Sequence, residues 1–245
     1  MTRRLFLAGA GGVIGRHLIP LLLADGWSIT GTTRSPEKAA ALARAGIEPV
    51  VLDIYDAEKL RDAVAGAEPS VVIHQLTDLP PGLDPGRMAA AIAPNARIRE
   101  EGTRNLVAAA RAAGVRRLVA QSLAFAYALG PTPHGEDDPL NVEAPGEAGI
   151  TARGVASLER QVLEAPLEGL VLRYGRFYGP GTGFEKPAAA PLHIDDAAEA
   201  AWLAATRGPR GIYNIAEEDG AVSIEKAKRL LGWSPQRKER RGFAR

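Results

Sequence analysis

Leu5-Phe-Leu-Ala8 runs into Gly9-Ala-Gly-Gly-Val-Ile-Gly15, and Arg16-His-Leu-Ile-Pro-Leu-Leu-Leu23 follows without a break. A short apolar run, three glycines spaced G-x-x-G-x-x-G and an apolar helix are the parts of a phosphate-binding βα turn. One glycine permits the tight exit from the strand, one lets the backbone touch a diphosphate, and one allows close packing of helix on sheet. The helix N-terminus adds unpaired N–H groups and a partial positive charge. A lone glycine pattern is weak evidence, but between a first strand and a first helix it points to a dinucleotide.

Outward from this turn, brief Val/Leu/Ile runs alternate with Ala/Leu-rich stretches. Strands are expected at Arg4 to Ala8, Ser28 to Thr33, Glu48 to Leu52, Ser70 to Gln75, Arg117 to Gln121 and Leu170 to Tyr174. Helices are expected at Val13 to Ala24, Pro36 to Ala45, Ala57 to Ala65, Ile98 to Ala113 and Arg153 to Ala165. Strands that are apolar throughout are buried on both faces, so the pattern predicts repeated βαβ units and an α/β, doubly wound parallel-sheet Rossmann fold. After Tyr174 the texture changes to Gly175-Arg-Phe-Tyr-Gly-Pro-Gly-Thr-Gly183 and a spacer around Pro187 to Pro191. A helix from Asp195 to Thr206, a strand from Gly211 to Ile215 and a helix from Ser223 to Leu231 follow. The expected division is a dinucleotide-binding domain over 1–174 and a small C-terminal cap over 175–245, whose basic end, Arg237 to Arg245, reads as a solvated tail.

The chain has 245 residues, 30 Lys+Arg against 29 Asp+Glu, 46% hydrophobic residues and no cysteine. A balanced charge argues against a coat for nucleic acid or an anionic membrane. The missing cysteines remove disulfides, thiolate metal sites and thiol nucleophiles. No run approaches the ~18 apolar residues of a membrane span, and the stretch before Gly9 is too short for a signal peptide, so a cytoplasmic location is expected. The four histidines form no H-x-x-x-H pair, and His193 beside Asp195 and Asp196 reads as a helix start with Asp195 as the cap; no metal site is expected.

The end of the second strand selects the cofactor. Where an NAD-selective fold places an acid for the ribose 2′-OH, this chain has Thr33 followed by Arg34. A guanidinium without a neighbouring carboxylate favours a 2′-phosphate, so NADP is expected, with NAD as the alternative. Asp53, closing the third strand, is read either as facing the adenine amino group or as capping the next helix.

The chain resembles the extended short-chain dehydrogenase/reductases, the NAD-dependent epimerase/dehydratase group. The resemblance rests on the three glycines, Val72-Ile-His74, Glu101-Gly-Thr-Arg-Asn-Leu106, Gly114-Val-Arg-Arg-Leu-Val119, Gln121-Ser122, Tyr178-Gly-Pro-Gly181, His193-Ile-Asp-Asp196, Tyr213-Asn-Ile215 and Leu231-Gly-Trp-Ser-Pro235. It implies cofactor contacts from Gly9, Gly11, Gly12, Val13, Ile14, Gly15, Thr33, Arg34, Asp53, Ile54, Gln75, Leu76 and Thr77, a small-molecule substrate, and a monomer or homodimer.

The family's chemistry uses a tyrosine and a lysine four residues apart, the ammonium drawing a phenol of pKa about 10 toward neutrality. Aligned through Glu159, those positions hold Thr151 and Val155. The literal Tyr55-x-x-x-Lys59 follows the third strand, at the adenine end, and reads as coincidence. Ser122 is the candidate for the family serine and Tyr127 for a replacement acid. The segments after Gly183 and after Asn214 are shorter than in relatives, which trims the expected substrate cleft. Two functions stay open: hydride transfer between a nicotinamide and a small carbonyl, alcohol or sugar-derived substrate, and a cofactor-binding, redox-sensing module without turnover.

Overall fold

The computed structural model describes residues 3–80, 84–184 and 189–236; Pro187 of the spacer and the basic tail lie outside them. The elements are β1 (Arg3–Ala8), α1 (Val13–Ala24), β2 (Trp27–Thr33), α2 (Pro36–Arg44), β3 (Glu48–Val51), α3 (Ala57–Ala67), β4 (Val71–His74), α4 (Pro85–Arg97), α5 (Thr103–Ala112), β5 (Arg117–Leu123), α6 (Gly146–Glu164), β6 (Glu168–Tyr174), β7 (Arg176–Tyr178), β8 (Pro191–His193), α7 (Ile194–Ala204), β9 (Gly211–Ile215) and α8 (Glu225–Leu231). A π-helical segment, Ile98–Gly102, joins α4 to α5.

Seven strands form one parallel sheet in the order β3-β2-β1-β4-β5-β6-β9. Alternating side chains of each central strand go to opposite layers. Leu5 and Leu7 of β1, Ile73 of β4 and Leu170 and Leu172 of β6 join the core beneath α1 and α7. Phe6, Val72, Leu118 and Val171 join the one beneath α3, α5 and α6. Two apolar layers, each worth roughly 1.5–3 kcal/mol per large buried side chain, explain why the strands read as unbroken apolar runs.

The stretch after Tyr174 returns to the sheet, since β9 pairs with β6 and α7 packs on α1. β7 and β8 make a separate two-stranded ribbon. Trp233, 1% exposed, donates its indole N–H to the Asp196 carbonyl at 2.9 Å and seats the end of α8 on α7.

Three local expectations are corrected. The helix expected to open at Ile98 begins at Pro85, with the Asp84 carboxylate accepting from the Gly86 amide at 3.0 Å. Pro94 cannot donate within the helix, and four residues later the winding loosens into the π segment. Asp53 does not cap α3; Asp56 does, accepting from the Lys59 amide, while Asp53 accepts from the Tyr55 amide. The cap of α7 is the His193 ring, whose Nδ1 accepts from the Asp195 amide at 3.1 Å; Asp195 turns to His17 at 2.7 Å.

Candidate functional site

The strand order reverses between β1, with β2 beyond it, and β4, with β5 beyond it, which opens a crevice at the carboxyl ends of the strands. A cleft of about 320 Å³ lies there. Of the residues expected on the dinucleotide, Gly9, Gly11, Gly12, Thr33, Arg34, Ile54, Gln75, Leu76 and Thr77 line it. Val13, Ile14 and Gly15 form the first turn of α1 behind it, and Asp53 precedes Ile54 in its wall. Thr32, Ser35, Lys38, Leu52, Tyr55 and Ile98 also line it and were not anticipated.

The turn is built for an oxyanion. Gly9 sits at φ +91°. A β-carbon there would lie 2.7 Å from the Gln75 carbonyl oxygen, and one at Gly15 would lie 2.3 Å from that of Ala10. The Thr32 hydroxyl accepts from the Gly9 amide at 3.1 Å and Gly12 bonds back to the Gly9 carbonyl at 3.0 Å, which locks the loop. No side chain caps the N-terminus of α1, so its first amides stay open to a ligand. On the floor, Gln75 Nε2 donates to the Tyr174 hydroxyl at 3.3 Å, while Gln75 Oε1 is buried without a partner. A ribose hydroxyl would satisfy that acceptor, so the residues present fit a dinucleotide.

Arg34 and Lys38 both line the mouth. Arg34 donates to Asp78 at 2.5 Å, and this hydrogen bond raises its pKa against the pull of burial. Lys38 lies over Gly11, its Cδ 3.2 Å from where a β-carbon would stand. The sequence signal for Lys38 was its position in the first turn of α2, facing back to the glycines. Arg97 stacks on the Tyr55 ring at 3.9 Å and Lys59 pairs with Asp56, so the Tyr55–Lys59 pair is split.

Comparison with known proteins meets this geometry. A family model described as NAD(P)H-binding matches residues 9–156. The chain is 40% identical to a 3-diazoavenalumate denitrifying reductase of Streptomyces sp., covering 96% of this chain and 83% of that protein. It is 30% identical to a dTDP-4-dehydrorhamnose reductase of Streptomyces griseus, covering 96% and 78%. The chain belongs to the NAD(P)H-binding short-chain dehydrogenase/reductases of extended type. Solved structures share the fold: a UDP-glucose 4-epimerase of Thermotoga maritima at TM-score 0.75, 19% identity and coverage of 95% and 93%, and WbmG of Bordetella bronchiseptica in complex with NAD and UDP at 0.72, 20%, 96% and 89%.

In this short-chain dehydrogenase/reductase the two positions that the sequence reading set against the family's tyrosine and lysine lie on α6, with Thr151 half-buried and Val155 fully buried. Four residues on, Glu159 accepts from the Ser122 hydroxyl at 2.7 Å and is gripped by Arg173 through Nε at 2.8 Å and Nη2 at 2.7 Å. Burial opposes the charge on Arg173, but the bonds to Glu159 outweigh it and raise its pKa. Tyr127 packs flat on His134, beneath the Arg173 guanidinium, and donates to Asn214 Oδ1 at 2.7 Å. Burial raises its phenol above 10 despite Arg173. Tyr178 donates to Glu217 and meets the His193 ring edge-on.

A shallow depression of about 680 Å³ between Arg111, Gly114 and Leu167 lies at the amino ends of β5 and β6, away from this chemistry. Among the described residues no helix is long and apolar enough to cross a membrane, and no group of three or more His, Asp or Glu is placed to hold a metal.

Proposed function

We propose that the protein is an NADP(H)-dependent reductase of a small molecule that works without the Tyr–Lys pair. One observation carries this reading: a cleft lined by Gly9, Gly11, Gly12, Arg34 and Lys38 lies over the glycine turn, while positions 151 and 155 hold Thr and Val. A bound nicotinamide coenzyme supplies a hydride, and the chain's own residues bind, orient and exclude water. Preference for the phosphorylated coenzyme is supported by Lys38 at the mouth and by Arg34, which would share its guanidinium between Asp78 and a 2′-phosphate.

For a small carbonyl acceptor, Ser122 at the end of β5 would have to give up its bond to Glu159 before its hydroxyl could orient the oxygen, since it is buried with that proton already donated. Of the two proton sources, Tyr127 and water, the raised phenol and its bond to Asn214 favour water. Residues up to Tyr174 hold the coenzyme and those from Gly175 onward form the reduced cap, lending β9 to the sheet.

The 40% relative, whose name states a denitrifying reduction, favours a second acceptor. An aryl diazonium takes up a hydride and loses N₂ to leave an aryl C–H bond, with no proton delivered, so it needs neither a tyrosine nor a lysine. The test is NADPH oxidation at 340 nm with a panel of small aldehydes and ketones and, separately, aryl diazonium salts, beside a binding titration. Turnover with carbonyls supports the first acceptor, and turnover with diazonium salts accompanied by N₂ supports the second. Tight NADPH binding with neither leaves the redox-sensing module.

A further inference from the structure

Arg99 is a buried cation for which the described residues supply no anion. It is 9% exposed and follows Ile98, which lines the cleft. It acts electrostatically on His74, whose successors Gln75, Leu76 and Thr77 line the cleft as well. The other two buried arginines are neutralised: Arg117 binds Glu168 and three carbonyl oxygens, and Arg173 binds Glu159. Among the described residues the Arg99 guanidinium meets no carboxylate and makes no hydrogen bond; burial alone pulls it down to about 10, so it stays charged at neutral pH. Its nitrogens keep a narrow contact with solvent, but a charge so largely withdrawn from water is stabilised by an anion that reaches it.

Its neighbourhood says what such a charge would serve. The π segment lies beside α6: a β-carbon on Gly154 would stand 3.1 Å from Ala96 Cα, and Gln161 Nε2 donates to the Glu100 carbonyl at 3.1 Å. Arg99 is therefore level with the turn of α6 that carries Val155. Helical side chains lean toward the N-terminus of their own helix, and both helices start at the carboxyl ends of the strands, so Arg99 leans toward the ligand end. We propose that Arg99 binds an oxyanion of the substrate, of the carboxylate class, where the π segment faces α6. The inference rests on the reductase reading, in which a substrate enters next to the coenzyme.

The same oxyanion chemistry could come from the coenzyme's phosphates, and the experiment separates the two sources. Arg99→Met and Arg99→Lys are compared with the parent chain by NADPH fluorescence titration. The NADPH complexes are then tested by thermal shift with benzoate and cinnamate against benzamide. The expected result is a parent complex stabilised by the carboxylates and not by benzamide, carboxylate affinity at least tenfold weaker in Arg99→Met and partly kept in Arg99→Lys, and NADPH affinity within threefold in both. Arg99→Met without ligand is expected to melt no lower than the parent, because it loses an unpaired buried charge. A lower melting point with an unchanged carboxylate response makes Arg99 a packing residue and overturns the proposal. So does a carboxylate-blind parent, or a tenfold loss of NADPH affinity with the carboxylate response intact, which assigns the oxyanion to the coenzyme. If Arg99→Met does not fold, Arg99→Lys decides by the same carboxylate arm. A parent that binds no NADPH removes the reductase reading as well.

Discussion

Gly12 and Gly15 belong to one motif, yet they answer to different demands. A β-carbon at Gly15 would meet backbone at 2.3 Å, whereas at Gly12 it would stand 3.1 Å from a carbonyl oxygen, on the lining of the cleft. Gly15→Ala is therefore expected to lower the urea-derived stability by about 2 kcal/mol through overpacking. Gly12→Val is expected to keep its melting point within a few degrees and lose NADPH binding; unchanged NADPH affinity would remove the cradle assignment. Arg34→Ala should weaken NADPH about tenfold or more and NADH little, the worth of one charge-assisted bond to a 2′-phosphate. Equal losses would make Arg34 a surface charge. His74 offers a pH signature. Burial, helped by Arg99, lowers its pKa to about 4 from 6.5, so it is neutral in the fold; Nδ1 accepts from the Leu76 amide and Nε2 donates to Thr103. The unfolded chain binds the extra proton first, so stability present above pH 6.5 is lost as pH falls toward 4, by up to about 1.4 kcal/mol per pH unit. Urea midpoints across that window should fall in the parent and flatten in His74→Gln.

At the scale of elements, β5, α6 and β6 meet in the chain Ser122–Glu159–Arg173, whose two ionic members are both nearly fully buried. Arg173→Met leaves Glu159 charged and unpaired and should cost about 3–5 kcal/mol by chemical denaturation, while adding Glu159→Leu should restore part of it. A loss below 1 kcal/mol in the single variant would show that water reaches the pair. This clamp was not legible beforehand, because its members are 37 and 14 positions apart and obey no local spacing. What local pattern controls was legible: α1 runs over the anticipated residues, and the strand cores lie where apolar runs put them. The α4 helix was not anticipated; it carries Gly86 in its first turn and absorbs Pro94 just before its winding changes. The two caps were misplaced by two or three residues: Asp53 accepts from the Tyr55 amide and leaves the α3 cap to Asp56, and the α7 cap falls to His193, ahead of Asp195.

The whole molecule divides along the same line. The cleft over the glycine turn comes from consecutive βα turns and could be read in order, whereas the Ser122–Glu159–Arg173 chain is assembled from β5, α6 and β6. The sheet closes last on β9, which pairs with β6 alone. While the polypeptide is being made, β6 therefore waits with bare amides and carbonyls until residues 211–215 emerge. Such an uncovered edge recruits other strands. A translation product stopped after Tyr174 should accumulate in inclusion bodies even though its glycine cradle is complete, and supplying Gly211–Ile215 in trans as a peptide should not rescue it without α7 to hold the strand in register.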